Sequence, residues 1–335
     1  MSSLKIPEGY KMPLSNNQLQ RAIELIHEDF QRNLTIRLNL HRVSAPLFVD
    51  NSTGLNDDLN GVERPVSFDI PDVGTEAVVV HSLAKWKRLA LLRYEFKPES
   101  GLYTDMNAIR RDEVTDNLHS IYVDQWDWEK YILPENRNLD YLKNTVRAIV
   151  GAICDTAVTV RYHFPALSFE PDREVFFITT QALEDMYPDL APSDRETEIT
   201  KEHHTVFLMQ IGRKLRSGKP LDGSAPDYDD WYLNGDILMW NPVLQSRFEI
   251  SSMGIRVSPE SLARQLKEAG KEERAKLMFH KMLLEGKLPD SIGGGIGMSR
   301  LCMLLLGACH IGEVQASLWD KETIEECEKH GITLL

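Results

Sequence analysis

Gly293, Gly294, Gly295, Gly297 and Arg300 run directly into the apolar stretch Leu301 to Leu306, and this is the segment best equipped for chemistry. Glycines let a backbone close on a ligand, a helix starting behind them directs its unpaired N–H groups and positive dipole end outward, and the arginine adds a planar cation. The arrangement suits a nucleotide or other anion, while the same glycines also suit an ordinary tight turn. Lys85, Lys87 and Arg88 make the first turns of a predicted helix basic, which opposes its macrodipole. Either an anion lies between them or they form a solvated face. Asp222, Asp227, Asp229, Asp230 and Asp236, interleaved with Tyr228, Trp231 and Tyr232, read as a solvated acidic loop, or as a cluster that needs partners if buried.

The chain that must position these residues has 335 amino acids, 42% of them hydrophobic, enough for a substantial core. Its formal net charge of −13, from 51 acidic against 38 basic residues, argues against a general electrostatic grip on nucleic acid or an anionic membrane. Cys154, Cys302, Cys309 and Cys327 show no CxxC pairing, which argues against disulfide and zinc frameworks. The first twenty residues lack the apolar core of a secretory signal, and no apolar run reaches the length of a membrane span. A cytoplasmic protein is expected, with a loose tail over 1–15 and a single domain over 16–335.

Leu19, Ile23, Ile26 and Phe30 behind Ser15 predict an amphipathic helix over 16–34, followed by a strand from Leu38 to Val49 and a polar loop from Asp50 to Gly61. Strands are expected over Val66 to Ile70 and Ala77 to Val80, then a helix from Leu83 to Tyr94 capped by Ser82. Two strands bracket a polar loop at Arg111 to Leu118, with Arg110 at the end of the first. Leu139, Leu142, Val146, Ile149 and Ile153 mark the most regular helix. Strands at Val175 to Ile178 and Val206 to Ile211 enclose two short helices, the second opening on a Ser193 to Glu196 capping box. A strand pair, Ile237 to Val243 and Phe248 to Val257, precedes two further helices and the glycine segment. Strands adjacent in sequence without helices between them imply antiparallel pairing, so the class is α+β, a mainly antiparallel sheet flanked by helices.

This ordered set resembles the catalytic core of the class II aminoacyl-tRNA synthetases. The first helix and the segment after it are similar to the signature that builds the dimer interface there. Tyr103 to Glu113 resembles a second, in which an arginine at a strand end holds the α-phosphate of ATP, and Gly295, Gly297 and Arg300 match a third, whose arginine stacks on adenine. His81 to Arg88 (HSLAKWKR), Val123 to Trp128 (VDQWDW), Ala225 to Trp231 (APDYDDW) and Asn234 to Asp236 (NGD) together resemble the ammonia-dependent asparagine synthetases, the aspartate ammonia ligases built on that core.

The resemblance implies that ATP activates the β-carboxylate of L-aspartate to a β-aspartyl adenylate, which ammonia converts to L-asparagine with release of AMP and pyrophosphate. Arg110 then faces the α-phosphate, with Arg111 chemically equivalent and set aside only by the family pattern. Asp236 and Glu249 fall where the family holds Mg2+; taken alone, Glu249 reads as an exposed strand residue. Lys87 is the candidate for a substrate carboxylate, Asp127 and Asp229 for the α-ammonium group, and Ser82 and Ser252 for supporting hydrogen bonds. Asp57 matches the position that receives ammonium and takes its proton, although Asn56-Asp57-Asp58 also reads as turn chemistry. Gln125 would orient the acyl group or the ammonia. A homodimer is implied, with no nucleic-acid partner. The competing readings are an aspartyl or asparaginyl tRNA synthetase, disfavoured by the acidic balance and the lack of a spare basic domain, and a non-catalytic relative that senses aspartate or ATP.

Overall fold

The computed structural model describes residues 4–57, 59, 63–218 and 224–335. Its elements in chain order are α1 (Asn16–Leu38), β1 (Leu40–Arg42), β2 (Phe48–Asp50), β3 (Ser67–Ile70), β4 (Thr75–Val79), α2 (Ala84–Arg93), β5 (Gly101–Ile109), β6 (Tyr122–Tyr131), α3 (Leu139–His163), β7 (Phe176–Thr179), α4 (Thr180–Met186), α5 (Pro192–His203), β8 (Thr205–Met209), β9 (Asp229–Asn241), β10 (Ser246–Arg256), α6 (Pro259–Glu268), α7 (Met278–Leu284), β11 (Ser291–Gly297), α8 (Met298–Leu306) and α9 (Lys321–Lys329).

Eight strands form one sheet in the order β1-β5-β6-β11-β10-β9-β8-β7. The pairs β1/β5 and β7/β8 at its two edges are parallel and the inner pairs are antiparallel. This is the α+β architecture read from the strand adjacencies. One face carries Trp126, Trp128, Met253, Ile292 and Ile296, all buried in a core that also holds Phe30 of α1, Ile149 of α3 and Leu301 of α8. Because side chains alternate along a strand, burying that row turns Gln125, Asp127 and Glu129 of β6 to the opposite face.

Several local expectations change. The predicted strand over 38–49 is two short strands, β1 at the edge of the eight-stranded sheet and β2 in a second sheet of order β2-β4-β3, and α1 runs to Leu38 and ends on Asn39 in the left-handed region. α2 begins behind Leu83, not Ser82, yet the Ser82 hydroxyl still accepts the Ala84 N–H at 3.1 Å. The Ser193 to Glu196 capping box does not form: Pro192 already occupies the first turn of α5, and Glu196 pairs with Arg247 at 2.6 Å. Of the predicted tail over 1–15, the described residues 4–15 are tied to the domain at two points. Lys5 exchanges backbone hydrogen bonds with the Asn117 amide at 2.7 and 2.8 Å, and the Tyr10 hydroxyl donates to Glu313 at 2.9 Å.

The glycine segment is corrected most. Gly293 to Gly297 are not a turn but the strand β11, and none of them has a positive φ. Glycine is required by lateral crowding. A Cβ on Gly293 would stand 2.0 Å from Glu129 Oε2, and one on Gly295 would stand 2.2 Å from Gln125 Oε1. The opening of α8 is also not left for a ligand, since the Ser299 N–H donates to Asp124 at 3.1 Å.

Candidate active site

Across the face opposite the tryptophans, Asp127 of β6, Gly295 of β11, Ser252 of β10 and Asp236 of β9 lie in one register row. Beyond Ser291, whose hydroxyl donates to Glu129 at 2.7 Å, β11 presents only Gly293, Gly295 and Gly297 on this face, so it forms the floor of a trough between the polar rows of β6 and β10. A cleft of about 350 Å³ opens above it. Asp57, Ser82, Lys87, Arg110, Gln125, Asp127, Asp229, Asp236, Glu249, Ser252, Gly295, Gly297 and Arg300 all line this cleft. Asp222 of the acidic cluster lies outside the described residues.

Glu249 arrives by a device invisible to period-two reading. The β10/β9 register runs Ser252 to Asp236 and Ser251 to Ile237, then shifts so that Glu249 opposes Leu238. That bulge turns Glu249 to the face of Asp236 and Ser252, where an unbroken ladder would have sent it into the core. The Ser252 hydroxyl donates to Asp236 at 2.6 Å and lies 3.5 Å from the Glu249 carboxylate. Arg300 is tethered at the same bulge, its Nη1 donating to the Glu249 carbonyl at 3.0 Å.

The basic start of α2 is neither solvated nor gathered around one anion. Lys85, Lys87 and Arg88 are all buried. Lys85 approaches Asp227 at 3.5 Å, Arg88 donates to the Val257 and Pro289 carbonyls at 2.7 and 2.8 Å, and Lys87 pairs with Asp127 and donates to the Gly294 carbonyl at 2.9 Å. Asp227, fully buried and also hydrogen-bonded to His280 and Arg274, is held well below the usual carboxylate range by Lys85 and these partners against the desolvation that opposes them. It is a structural anchor for the segment carrying Asp229.

Two residues that the sequence reading did not select sit beneath the cleft. Arg256 grips Glu129 through Nε at 3.0 Å and Nη2 at 2.7 Å, and reaches Asp229 through Nη1 at 2.5 Å. Burial pushes the Asp229 carboxyl upward, opposed by Arg256. Lys87 and Arg256 thus pair with Asp127, Glu129 and Asp229, and the buried Arg88 also faces Glu129, so these carboxylates are held by internal cations. A cationic ligand here would have to replace part of that pairing. An arginine at a strand end was a legible signal for Arg110 and applies equally to Arg256; its partner Glu129 follows Trp128 at the end of an acid-aromatic run.

Arg110 follows the last residue of β5, its N–H fixed to the Ile121 carbonyl at 2.8 Å. Among the described residues it pairs with Glu113 at 3.9 Å, and its buried Nε has no hydrogen-bond partner. Arg110 lines the cleft and Arg111 does not, which separates two residues that sequence left equivalent. The four cysteines are buried thiols, and burial pushes Cys154 and Cys327 each up to about 11. Among the described residues no helix is long and apolar enough to cross a membrane.

The trough geometry makes two glycine substitutions separable. Gly294→Ala would press its Cβ on the Ser252 carbonyl at 2.7 Å and on the Met253 Cβ at 2.6 Å, whereas Gly295→Ala meets the movable end of Gln125. We expect Gly294→Ala to lower the melting temperature, and Gly295→Ala to melt near wild type while losing turnover. Equal melting losses in the two variants would refute the distinction.

The aspartate-ammonia ligase family profile matches residues 17–331. The chain is 59% identical over 335 residues to the aspartate–ammonia ligase of Lactobacillus johnsonii, covering 99% of this chain and 100% of that one. It is 60% identical over 333 residues to that of Clostridium tetani, covering 99% and 98%. Among solved structures, asparaginyl-tRNA synthetase of Pyrococcus horikoshii complexed with asparaginyl-adenylate aligns with a TM-score of 0.67 at 15% identity, covering 91% of this chain and 70% of that one. The Entamoeba histolytica asparaginyl-tRNA synthetase in complex with asparaginyl-adenylate gives 0.65 at 14%, and the chain spans 66% of its length. At these identities the synthetase likeness is one of fold.

Proposed function

The chain belongs to the aspartate-ammonia ligase family, and from that premise we propose that it makes L-asparagine from L-aspartate and ammonia, with ATP forming a β-aspartyl adenylate and AMP and pyrophosphate leaving. The observation that carries the adenylate reading is that one cleft joins the buried carboxylates Asp127 and Asp229 to Arg110, whose Nε has no hydrogen-bond partner among the described residues. Full-length identity to ligases, set against a fold-level likeness to tRNA synthetases, disfavours an aminoacylating enzyme.

In this reading the α-ammonium group of aspartate replaces part of the internal pairing around Asp127 and Asp229, and Lys87 turns toward a substrate carboxylate. Ser82 and Ser252 add hydrogen bonds at the rim. Arg110 spans two α-phosphate oxygens and offsets the repulsion between the incoming β-carboxylate and the triphosphate. The trough above Gly295 and Gly297 admits the nucleotide, and Arg300, anchored on β10, covers the adenine face. Gln125, reaching across Gly295, orients the acyl group.

Asp236 and Glu249 fit a hard divalent cation: they offer oxygen only, and one hydroxyl reaches both. No group of three or more candidate ligands occurs among the described residues, so a Mg2+ there would draw its remaining ligands from phosphate and water, as this ion commonly does. When bound, it would neutralise phosphate charge. A homodimer is supported by α1 and α3, which pack together and expose Ile36, Val158 and Tyr162. Four buried unpaired thiols suit a reducing compartment, and we place the protein in the cytoplasm.

The deciding assay supplies purified protein with aspartate, ammonium, ATP and Mg2+, without tRNA. Asparagine and AMP are expected in equal amounts. ADP in place of AMP would exclude the adenylate, and no product would leave a sensor of aspartate or ATP.

A further inference from the structure

Ammonia poses a problem that the site described so far does not solve. Near neutral pH it is almost entirely ammonium, without a lone pair, and must lose a proton before it can attack. Asp57 can hold the cation. As a proton acceptor, however, an ordinary aspartate, with a pKa of about 3.9, is far less well matched to ammonium than imidazole, with about 6.5.

The cleft contains such an imidazole. His81 is 1% exposed and lines the cleft beside Ser82, Lys87 and Arg110. Its backbone N–H donates to the Asn56 side chain at 2.8 Å, and its Nδ1 lies 3.1 Å from the Asp57 carbonyl oxygen. A carbonyl oxygen only accepts, so Nδ1 carries the proton and Nε2 carries the lone pair. Among the described residues Nε2, which is buried, has no hydrogen-bond partner, an expensive state for a polar atom. The geometry points to His81 Nε2 as the acceptor that takes a proton from ammonium held by Asp57, releasing ammonia at the acyl adenylate.

The inference rests on the ligase reading and deepens it. Ammonium transfers a proton to Nε2, leaving ammonia and an imidazolium. The ammonia lone pair attacks the β-carbonyl carbon, the bond from that carbon to the phosphate oxygen breaks, and AMP leaves with the electron pair. The new amide nitrogen gives its surplus proton to water or the departing phosphate. Burial holds the imidazole below its usual value and the Arg110 charge adds to this, while the Asp57 carbonyl contact and the more distant Glu63 and Asp112 oppose it. The ring therefore stands neutral at pH 7, as an acceptor must.

His81→Asn tests this, because the asparagine amide can still donate to the Asp57 carbonyl while Nε2 is removed. The variant should keep aspartate-dependent exchange of pyrophosphate into ATP and lose ammonia-dependent asparagine formation by about 10²-fold or more. With hydroxylamine, which is unprotonated at neutral pH, it should form aspartyl hydroxamate at the wild-type rate, and added imidazole should partly restore asparagine formation. Unchanged asparagine formation, or equal losses with ammonia and hydroxylamine, would overturn the assignment. If the asparagine variant melts below the assay temperature, His81→Gln is read by the same ammonia-to-hydroxylamine ratio. Lack of exchange in the wild type would remove the ligase reading and this inference together, whereas failure of the variant pattern alone removes only the inference.

Discussion

Arg110→Ala should lower both pyrophosphate exchange and asparagine formation by about 10²- to 10³-fold, in the range seen when a transition-state anion loses one fixed donor. The variant should melt within about 1 kcal/mol of wild type, because the pair it breaks is 3.9 Å long and partly exposed. Among the described residues the guanidinium's one ion pair is that with Glu113, and the backbone at this residue is fixed independently by the Ile121 carbonyl. Arg110→Lys retains the charge without the two-pronged donor and should recover only a minor part of the loss. Arg111→Ala, outside the cleft, supplies the control and should turn over normally. Wild-type exchange in Arg110→Ala, or a comparable defect in Arg111→Ala, would remove Arg110 from the phosphate site.

That contrast shows where sequence reading succeeds and where it stops. Long elements with repeated apolar spacing, such as α1 and α3, were legible because burial imposes a period that propensity does not need to assist, whereas β9, expected only from Ile237, begins at Asp229 within the stretch read as an acidic loop. Six candidate residues, Ser82, Lys87, Gln125, Asp127, Asp229 and Asp236, fall in the four runs rich in Trp, Asp and His, the others came from the glycine segment and the wider family resemblance, and all of them line one cleft. What was lost is what depends on lateral neighbours. Gly293 to Gly297 looked like a turn because glycine signals freedom of φ, yet here it signals that Glu129 and Gln125 cross the strand from β6. The face on which Glu249 stands is set by a one-residue register shift against β9, and no alternation within β10 reveals it.

Arg256 is the extreme case of a residue whose importance lies in partners far away in sequence. Its guanidinium, itself pushed upward by Glu129 and Asp229, holds two carboxylates that have almost no solvent. Replacing it with methionine keeps much of the volume and leaves Lys87, already paired with Asp127, as the near cation. Breaking a buried pair in this way should cost about 3–5 kcal/mol. The pH dependence gives the sign. Desolvation already raises Asp229, so its folded form binds a proton more readily than the unfolded chain does, and stability from this group falls as pH rises. Without Arg256 that rise should steepen for Asp229, so the variant's deficit is expected to be larger at pH 8 than at pH 5.5, where protonation can relieve the unpaired charge. Denaturant unfolding of both proteins at the two pH values measures this directly. A deficit under 1 kcal/mol, or one that grows toward acid, would mean that Arg256 does not carry the buried negative charge on which the amine pocket depends.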